Sequence, residues 1–302
     1  MAGPSKVVVL GGGGRMGHGI ALACLQYSDA EVVIVSRRAE TVEHGIRVII
    51  SGPFGLERAV AKERLTRQQA DDAVARLTGT TDYEEALVGA DLVFESVPEI
   101  VATKHATFEL VDRFAPSDAV LATNTSSILI AELAAPLADP GRLVGTHWFY
   151  PAHVMPLVEV GRSSFVDEAA LDQVLAYLRA LRKRPVVVKD SPGLFMTRFI
   201  NNYLAEAIRL VELGIAGPAE IDEMVKSGLG WPMGVFELLD GSSFDAFYHA
   251  QEYLHANLGE RYAVPTLARQ AYLAGYHGSP DLVPDSRGGL YDYLGIERDT
   301  EG

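Results

Sequence analysis

Cys24 is the only cysteine among 302 residues. That excludes an internal disulfide framework and any cysteine-cluster metal centre, and it fits a reducing compartment. Positive charge is also short, with 26 lysines and arginines against 40 acidic residues and a formal balance of −14. Such a surface repels polyanions, so neither nucleic acid nor an acidic membrane leaflet is expected as a partner. No apolar run approaches the roughly 20 residues needed to cross a bilayer. The short apolar opening Lys6–Leu10 runs into glycines and not into a signal-peptide cleavage site. Internal repeats, heptad runs and low-complexity segments are missing as well. The expectation is a cytoplasmic protein with no metal site.

What is present is an ordinary globular composition, 48% apolar, sufficient for two medium cores. The runs Lys6–Leu10, Glu31–Val35, Asp91–Glu95, Ala119–Thr123, Leu143–Thr146, Leu157–Val160 and Pro185–Lys189 are apolar and β-rich, and helical patterns alternate with them. This alternation predicts an α/β domain, residues 1–189, with a largely parallel sheet covered by helices. Between the second and third runs lies a charged stretch, Arg37–Arg76, whose helical periodicity breaks at Ser51-Gly52-Pro53. It predicts a helical hairpin inserted into that domain. After Asp190 the pattern changes. Ser191-Pro192 offers an N-cap and a first-turn proline, Phe195, Phe199, Tyr203, Ala207 and Val211 follow at helical spacing, and Gly214 closes the segment. Helical patterns continue around Pro218–Ser227, Val235–Leu239 and Phe244–Leu258, so residues 190–302 are expected to form an all-α domain.

The first strand leads into Gly11-Gly12-Gly13-Gly14-Arg15-Met16-Gly17 and then into the apolar helix pattern Ile20–Ala23. Gly12, Gly14 and Gly17 form a G-x-G-x-x-G set between a strand and a helix, with a second strand following. That context separates a dinucleotide-binding turn from a merely flexible one. The glycines allow the tight turn, the approach of a pyrophosphate and close helix–strand packing, while the helix N-terminus around Arg15 and Met16 faces the phosphates. The domain is therefore read as a Rossmann-type doubly wound sheet. The second strand ends not in a carboxylate but in Ser36, followed by Arg37 and Arg38. Nothing there repels a 2′-phosphate, and two guanidiniums can pair with one. An NAD(P) cofactor is expected, with NADP(H) favoured over NAD(H). The bland alternative is that Arg37 and Arg38 begin a solvated helix.

Two further segments carry chemistry. Thr123-Asn124-Thr125-Ser126-Ser127 follows the Ala119–Thr123 run, and Gly145-Thr146-His147-Trp148-Phe149-Tyr150-Pro151 is followed, twelve residues beyond His147, by Glu159 in Pro156-Leu157-Val158-Glu159-Val160. Histidine suits proton transfer to or from an alcohol oxygen because it titrates near neutrality, and a carboxylate on the far ring nitrogen fixes its tautomer. The plainer readings are a satisfied core histidine, a surface glutamate, and a helix near Ile128 capped by Ser126 or Asn124.

Together with Asp190-Ser191-Pro192-Gly193 and Gly230-Trp231-Pro232-Met233-Gly234, in this order over nearly the whole chain, these segments resemble the L-3-hydroxyacyl-CoA dehydrogenases. The resemblance implies a nucleotide-binding domain followed by a helical domain that mediates homodimerisation. It implies His147 as general acid/base, Glu159 as its orienting partner, Ser126 at the substrate oxygen and Asn124 close to the reacting centre. Glu99 and Lys104 fall at family positions near the cofactor. Lys62-Glu63-Arg64-Leu65-Thr66 resembles the tail that contacts CoA. The match fails in places: Tyr150 and Thr197 replace two family asparagines, which predicts a reshaped pocket, and the chain's end lacks the family's lysine-rich terminus. The expected activity is NAD(P)-dependent interconversion of an L-3-hydroxyacyl thioester, on CoA or a carrier protein, and its 3-oxo form. A dehydrogenase of a free hydroxy acid, such as a sugar acid or carnitine-like substrate, and a non-catalytic dinucleotide-binding protein remain open.

Overall fold

In the computed structural model, which describes residues 3–242, 244–281 and 283–297, the valine-rich runs become strands of a single sheet. The strands are β1 (Lys6–Leu10), β2 (Glu31–Val35), β3 (Leu77–Thr80), β4 (Leu92–Glu95), β5 (Val120–Thr123), β6 (Leu143–Trp148), β7 (Leu157–Arg162) and β8 (Arg184–Lys189). Their order is β3-β2-β1-β4-β5-β6-β7-β8. β1 lies between β2 and β4, so the chain winds away from it in both directions. The crevice at the carboxyl ends of β1 and β4 is the topological switch point where such sheets take ligands. All pairings are parallel except β6 with β7.

The helices of this part are α1 (Arg15–Tyr27), α2 (Ala39–Ser51), α3 (Leu56–Ala61), α4 (Arg67–Ala75), α5 (Tyr83–Leu87), α6 (Val101–Phe114), α7 (Ile130–Leu133) and α8 (Glu168–Ala180). Val7 and Val9 of β1, Ile20 and Cys24 of α1, Phe94 of β4 and Val174 of α8 belong to one buried cluster. Cys24 is fully buried there, and burial pushes its thiol up to about 12, so it packs as a small apolar residue. The predicted insertion comprises α2, α3 and α4, and α4 opens on a capping box between Thr66 and Gln69. It ends in a strand that the sequence pattern does not announce: β3 is four residues long, contains a glycine and pairs only with β2.

Contacts divide the chain into two compact units, Met1–Leu194 and Phe195–Gly302. The second unit contains α9 (Met196–Glu212), α10 (Pro218–Leu229), α11 (Val235–Ser242), α12 (Phe244–Leu258), α13 (Thr266–Leu273) and α14 (Leu290–Leu294). Its core includes Leu204, Ile208, Phe236, Leu239, Phe244 and Leu290. Two buried aspartates fix helix starts from inside it: Asp222 accepts from Phe236 N and Glu237 N, and Asp240 from Leu290 N and Tyr291 N.

Ser191-Pro192 does not start the long helix. Leu194 N donates to Ser191 O, Gly193 and Leu194 have positive φ, and α9 begins at Met196. The competing interactions are nearby: Gly193 N donates to Ser127 O, and the Asp190 carboxylate accepts from Ile130 N at 3.1 Å and Ala131 N at 3.0 Å. Asp190, and neither Ser126 nor Asn124, thus caps α7.

Candidate active site

The glycine turn closes by hydrogen bonds from Gly11 N and Gly12 N to Val35 O at the end of β2. Gly11 has φ +76°, and a Cβ there would lie 2.3 Å from Ser96 O. A Cβ at Gly17 would lie 2.2 Å from Gly11 O, so the first turn of α1 can approach the loop only without one. Gly14 is the N-cap of α1. No side chain caps that end and no acid stands in its first turn, leaving its partial positive charge towards the cleft. The cleft, ≈ 490 Å³, is lined by Gly14, Arg15 and Met16 at this end and by Glu99, Asn124 and Ser126 at the other. An uncapped helix start, backbone approach allowed by glycine and a cleft running to Asn124 and Ser126 fit a dinucleotide.

Ser36, Arg37 and Arg38 line the same cleft, with Thr41 and Tyr83, which the motif reading does not reach. Ser36 is buried, and its Oγ accepts from Gly13 N at 3.1 Å, so its first task is to hold the turn. Arg37 and Arg38 are exposed.

His147 and Glu159 face each other directly in the antiparallel register of β6 and β7. Directly opposed side chains on one face of such a pair are within reach of each other, and His147 Nδ1 lies 3.0 Å from Glu159 Oε2. Both are buried, at 6% and 2% exposure. The spacing of twelve residues is therefore a hairpin register, and Glu159 is buried, not the surface charge of the plainer reading. Asn124 is tied to the same strand: its Oδ1 accepts from Trp148 N, next to His147, and its Nδ2 donates to Ser96 Oγ.

Glu99 gathers the segment after β5. Its Oε1 accepts from Thr125 Oγ1 and from the amides of Ser126 and Ser127 at 2.8 and 2.9 Å. Burial alone would raise its carboxyl, but the Lys104 charge and these hydrogen bonds outweigh burial and hold it below the usual range. Lys104 is fully buried, its Nζ 2.8 and 2.9 Å from the two oxygens of Glu95 and 2.8 Å from Asn124 O. It therefore reaches the cleft through its neighbours. Glu95 escapes the sequence reading, although a carboxylate closing the apolar strand Leu-Val-Phe-Glu is the signal that marks it.

Tyr150 is exposed, and the Arg15 guanidinium lies 5.5 Å from its ring centroid, which brings the substituted asparagine position beside the start of α1. Thr197 belongs to α9 in the second unit. A separate cavity of ≈ 480 Å³ is lined by Phe54, Arg58, Lys62, Arg64, His153 and Arg182, among others. The Phe54 and His153 rings lie tilted against each other with centroids 5.1 Å apart, and burial, with the neighbouring Lys183 charge, lowers His153 to about 4, so it is neutral at neutral pH. Among the described residues no group of three or more His, Cys, Asp or Glu could hold a metal, and no helix is long and apolar enough to cross a membrane.

Residues 6–191 match the family of 3-hydroxyacyl-CoA dehydrogenase NAD-binding domains, and residues 193–282 match the family of 3-hydroxyacyl-CoA dehydrogenase C-terminal domains. A probable 3-hydroxybutyryl-CoA dehydrogenase of Bacillus subtilis is 34% identical over 289 residues, covering 95% of this chain and 97% of its own. A 3-hydroxybutyryl-CoA dehydrogenase of Mycobacterium tuberculosis is 35% identical, covering 93% and 96%. Among solved structures, the (S)-3-hydroxybutyryl-CoA dehydrogenase of Ralstonia eutropha superposes with a TM-score of 0.87 at 32% identity, covering 95% of this chain and 98% of that one.

Proposed function

Because the chain belongs to the 3-hydroxyacyl-CoA dehydrogenase family, we propose that it interconverts an L-3-hydroxyacyl-CoA and the corresponding 3-oxoacyl-CoA, with NADP(H) preferred to NAD(H). The observation that carries the reaction is the buried His147–Glu159 pair at 3.0 Å. An ionised carboxylate can only accept, so it holds the proton on Nδ1 and leaves Nε2 to exchange one with the substrate oxygen. In oxidation His147 takes the hydroxyl proton, and the charge it acquires is balanced by Glu159; in reduction it returns the proton to the carbonyl oxygen. Ser126 supplies a hydrogen bond to that oxygen, and Asn124 braces the strand bearing His147 through Trp148 N. The nicotinamide, when bound, accepts or donates the hydride.

Two observations support the finer parts of the reading. Ser36-Arg37-Arg38 on the cleft wall carries two guanidiniums and no carboxylate, which favours a 2′-phosphate over a free ribose hydroxyl. The cavity with Arg58, Lys62, Arg64 and Arg182 matches the phosphates of CoA, a group that a free hydroxy acid lacks.

Acetoacetyl-CoA reduction followed at the nicotinamide absorbance, with NADH and NADPH in parallel, tests both. Turnover with a higher kcat/KM for NADPH is expected. An equal or higher value with NADH would overturn the cofactor preference, and no turnover across a panel of thioesters would overturn the activity.

A further inference from the structure

Glu95 is a carboxylate at the end of a central strand, in register with Leu10 of β1 on one side and Thr123 of β5 on the other, and it is fully buried. Its oxygens are well satisfied. Lys104 Nζ lies at 2.8 and 2.9 Å, Thr123 Oγ1 donates at 2.5 Å and Val97 N at 2.7 Å. The lysine then faces outward from this anchor to two segments at once. Its Nζ donates to Asn124 O at 2.8 Å, the first residue after β5, and lies 3.4 Å from Glu99 Oε2, in the segment after β4. Glu99 in turn holds the amides of Ser126 and Ser127. Glu95 also engages the segment after β5 through its backbone, since Asn124 N donates to Glu95 O at 2.7 Å.

We propose that Glu95, acting through Lys104, is the positioning residue that sets the Asn124–Ser127 segment against the dinucleotide cleft. The proposal rests on the reading above that Asn124 and Ser126 serve the reacting centre. Desolvating two charges offsets much of their attraction, so the ion pair itself adds little to stability. What an apolar pair lacks is direction. Three donors on one ammonium fix the distances between the ends of β4 and β5 and the start of α6, and small displacements at a reacting centre cost rate steeply.

The test follows from that contrast. The double variant Glu95→Gln/Lys104→Met removes both charges of the pair together and leaves Glu99 to its hydrogen bonds from Thr125, Ser126 and Ser127. It is expected to melt near the wild-type temperature while kcat for acetoacetyl-CoA falls on the order of 100-fold. Amide exchange in a peptide spanning residues 123–128 should accelerate by about tenfold, with exchange in β1 and α1 unchanged. Wild-type kcat in the folded double variant, or unchanged exchange in that peptide, overturns the proposal. Should the double variant not fold, exchange in the wild type decides: Ser126 and Ser127 amides exchanging as fast as an open loop overturn it, and protection comparable to β1 supports it. A wild type that turns over no thioester would sink the functional reading instead, and the exchange measurements would still decide this one.

Discussion

His147 and Glu159 are separable by what each contributes. Removing the imidazole removes the proton carrier, so His147→Ala is expected to lower kcat by roughly 10² to 10⁴ while leaving dinucleotide affinity, measured by titration of the reduced cofactor's fluorescence, close to wild type. Glu159→Gln keeps the shape and loses the charge that balances the imidazolium, so its loss should fall on kcat more than on KM. Turnover at the wild-type rate in His147→Ala would remove the histidine from the reaction. The sequence marks this pair by residue type and by resemblance but does not say how the two side chains meet. A spacing of twelve is compatible with many loops, and only the antiparallel register of β6 and β7 makes it a direct pair. Glu95 and Lys104 show the opposite case. Lys104 is recognisable from the family pattern, yet its ammonium is consumed by Glu95 and Asn124 O, an arrangement no local pattern encodes because the three residues come from three separate parts of the chain.

At the scale of elements, the loop between β6 and β7 is held from outside the hairpin. Lys183, just before β8, donates to Ala152 O at 2.7 Å and Met155 O at 3.0 Å and lies 5.6 Å from the Trp148 ring centroid. Burial lowers its ammonium to about 8, and His153 of the loop faces it as a second titratable group. A lysine whose folded value lies below its unfolded one binds fewer protons in the native state between about 8 and 10.5. Stability from this group therefore rises with pH across that window, as the cost of burying the charge disappears. Urea unfolding of wild type against Lys183→Met should show the wild-type advantage growing by about 2 kcal/mol from roughly pH 7 to 9.5. A difference that stays flat or shrinks would mean the ammonium is not desolvated. The valine-rich strands around it are readable from the sequence because central parallel strands are buried on both faces and need no alternation. β3 is not, since Leu-Thr-Gly-Thr has neither length nor pattern and exists as a strand only because β2 presents it with an open edge. The start of α9 is misread for a related reason: Asp190 and Gly193 have partners at α7 and Ser127 that outcompete a local helix cap.

The whole molecule carries a formal charge of −14, and its proposed substrate is itself polyanionic, so the average surface repels what the site must bind. Residues Arg58, Lys62, Arg64 and Arg182 around the second cavity concentrate positive charge locally in the face of that field. The consequence is a division of labour that can be measured. Lys62→Glu combined with Arg58→Glu should raise KM for acetoacetyl-CoA at low ionic strength by about tenfold, on the scale of two charge-assisted contacts, with kcat unchanged because neither residue lies near His147 in sequence or function. Added salt should narrow the gap between variant and wild type, since it screens exposed charges beyond a Debye length of about 10 Å at 0.1 M. A truncated substrate such as the N-acetylcysteamine thioester, which lacks the phosphates, should be reduced equally well by both proteins. Equal KM values for acetoacetyl-CoA in the two proteins would detach this cavity from the nucleotide end of the substrate, and an equal loss with the truncated thioester would assign the effect to the fold instead.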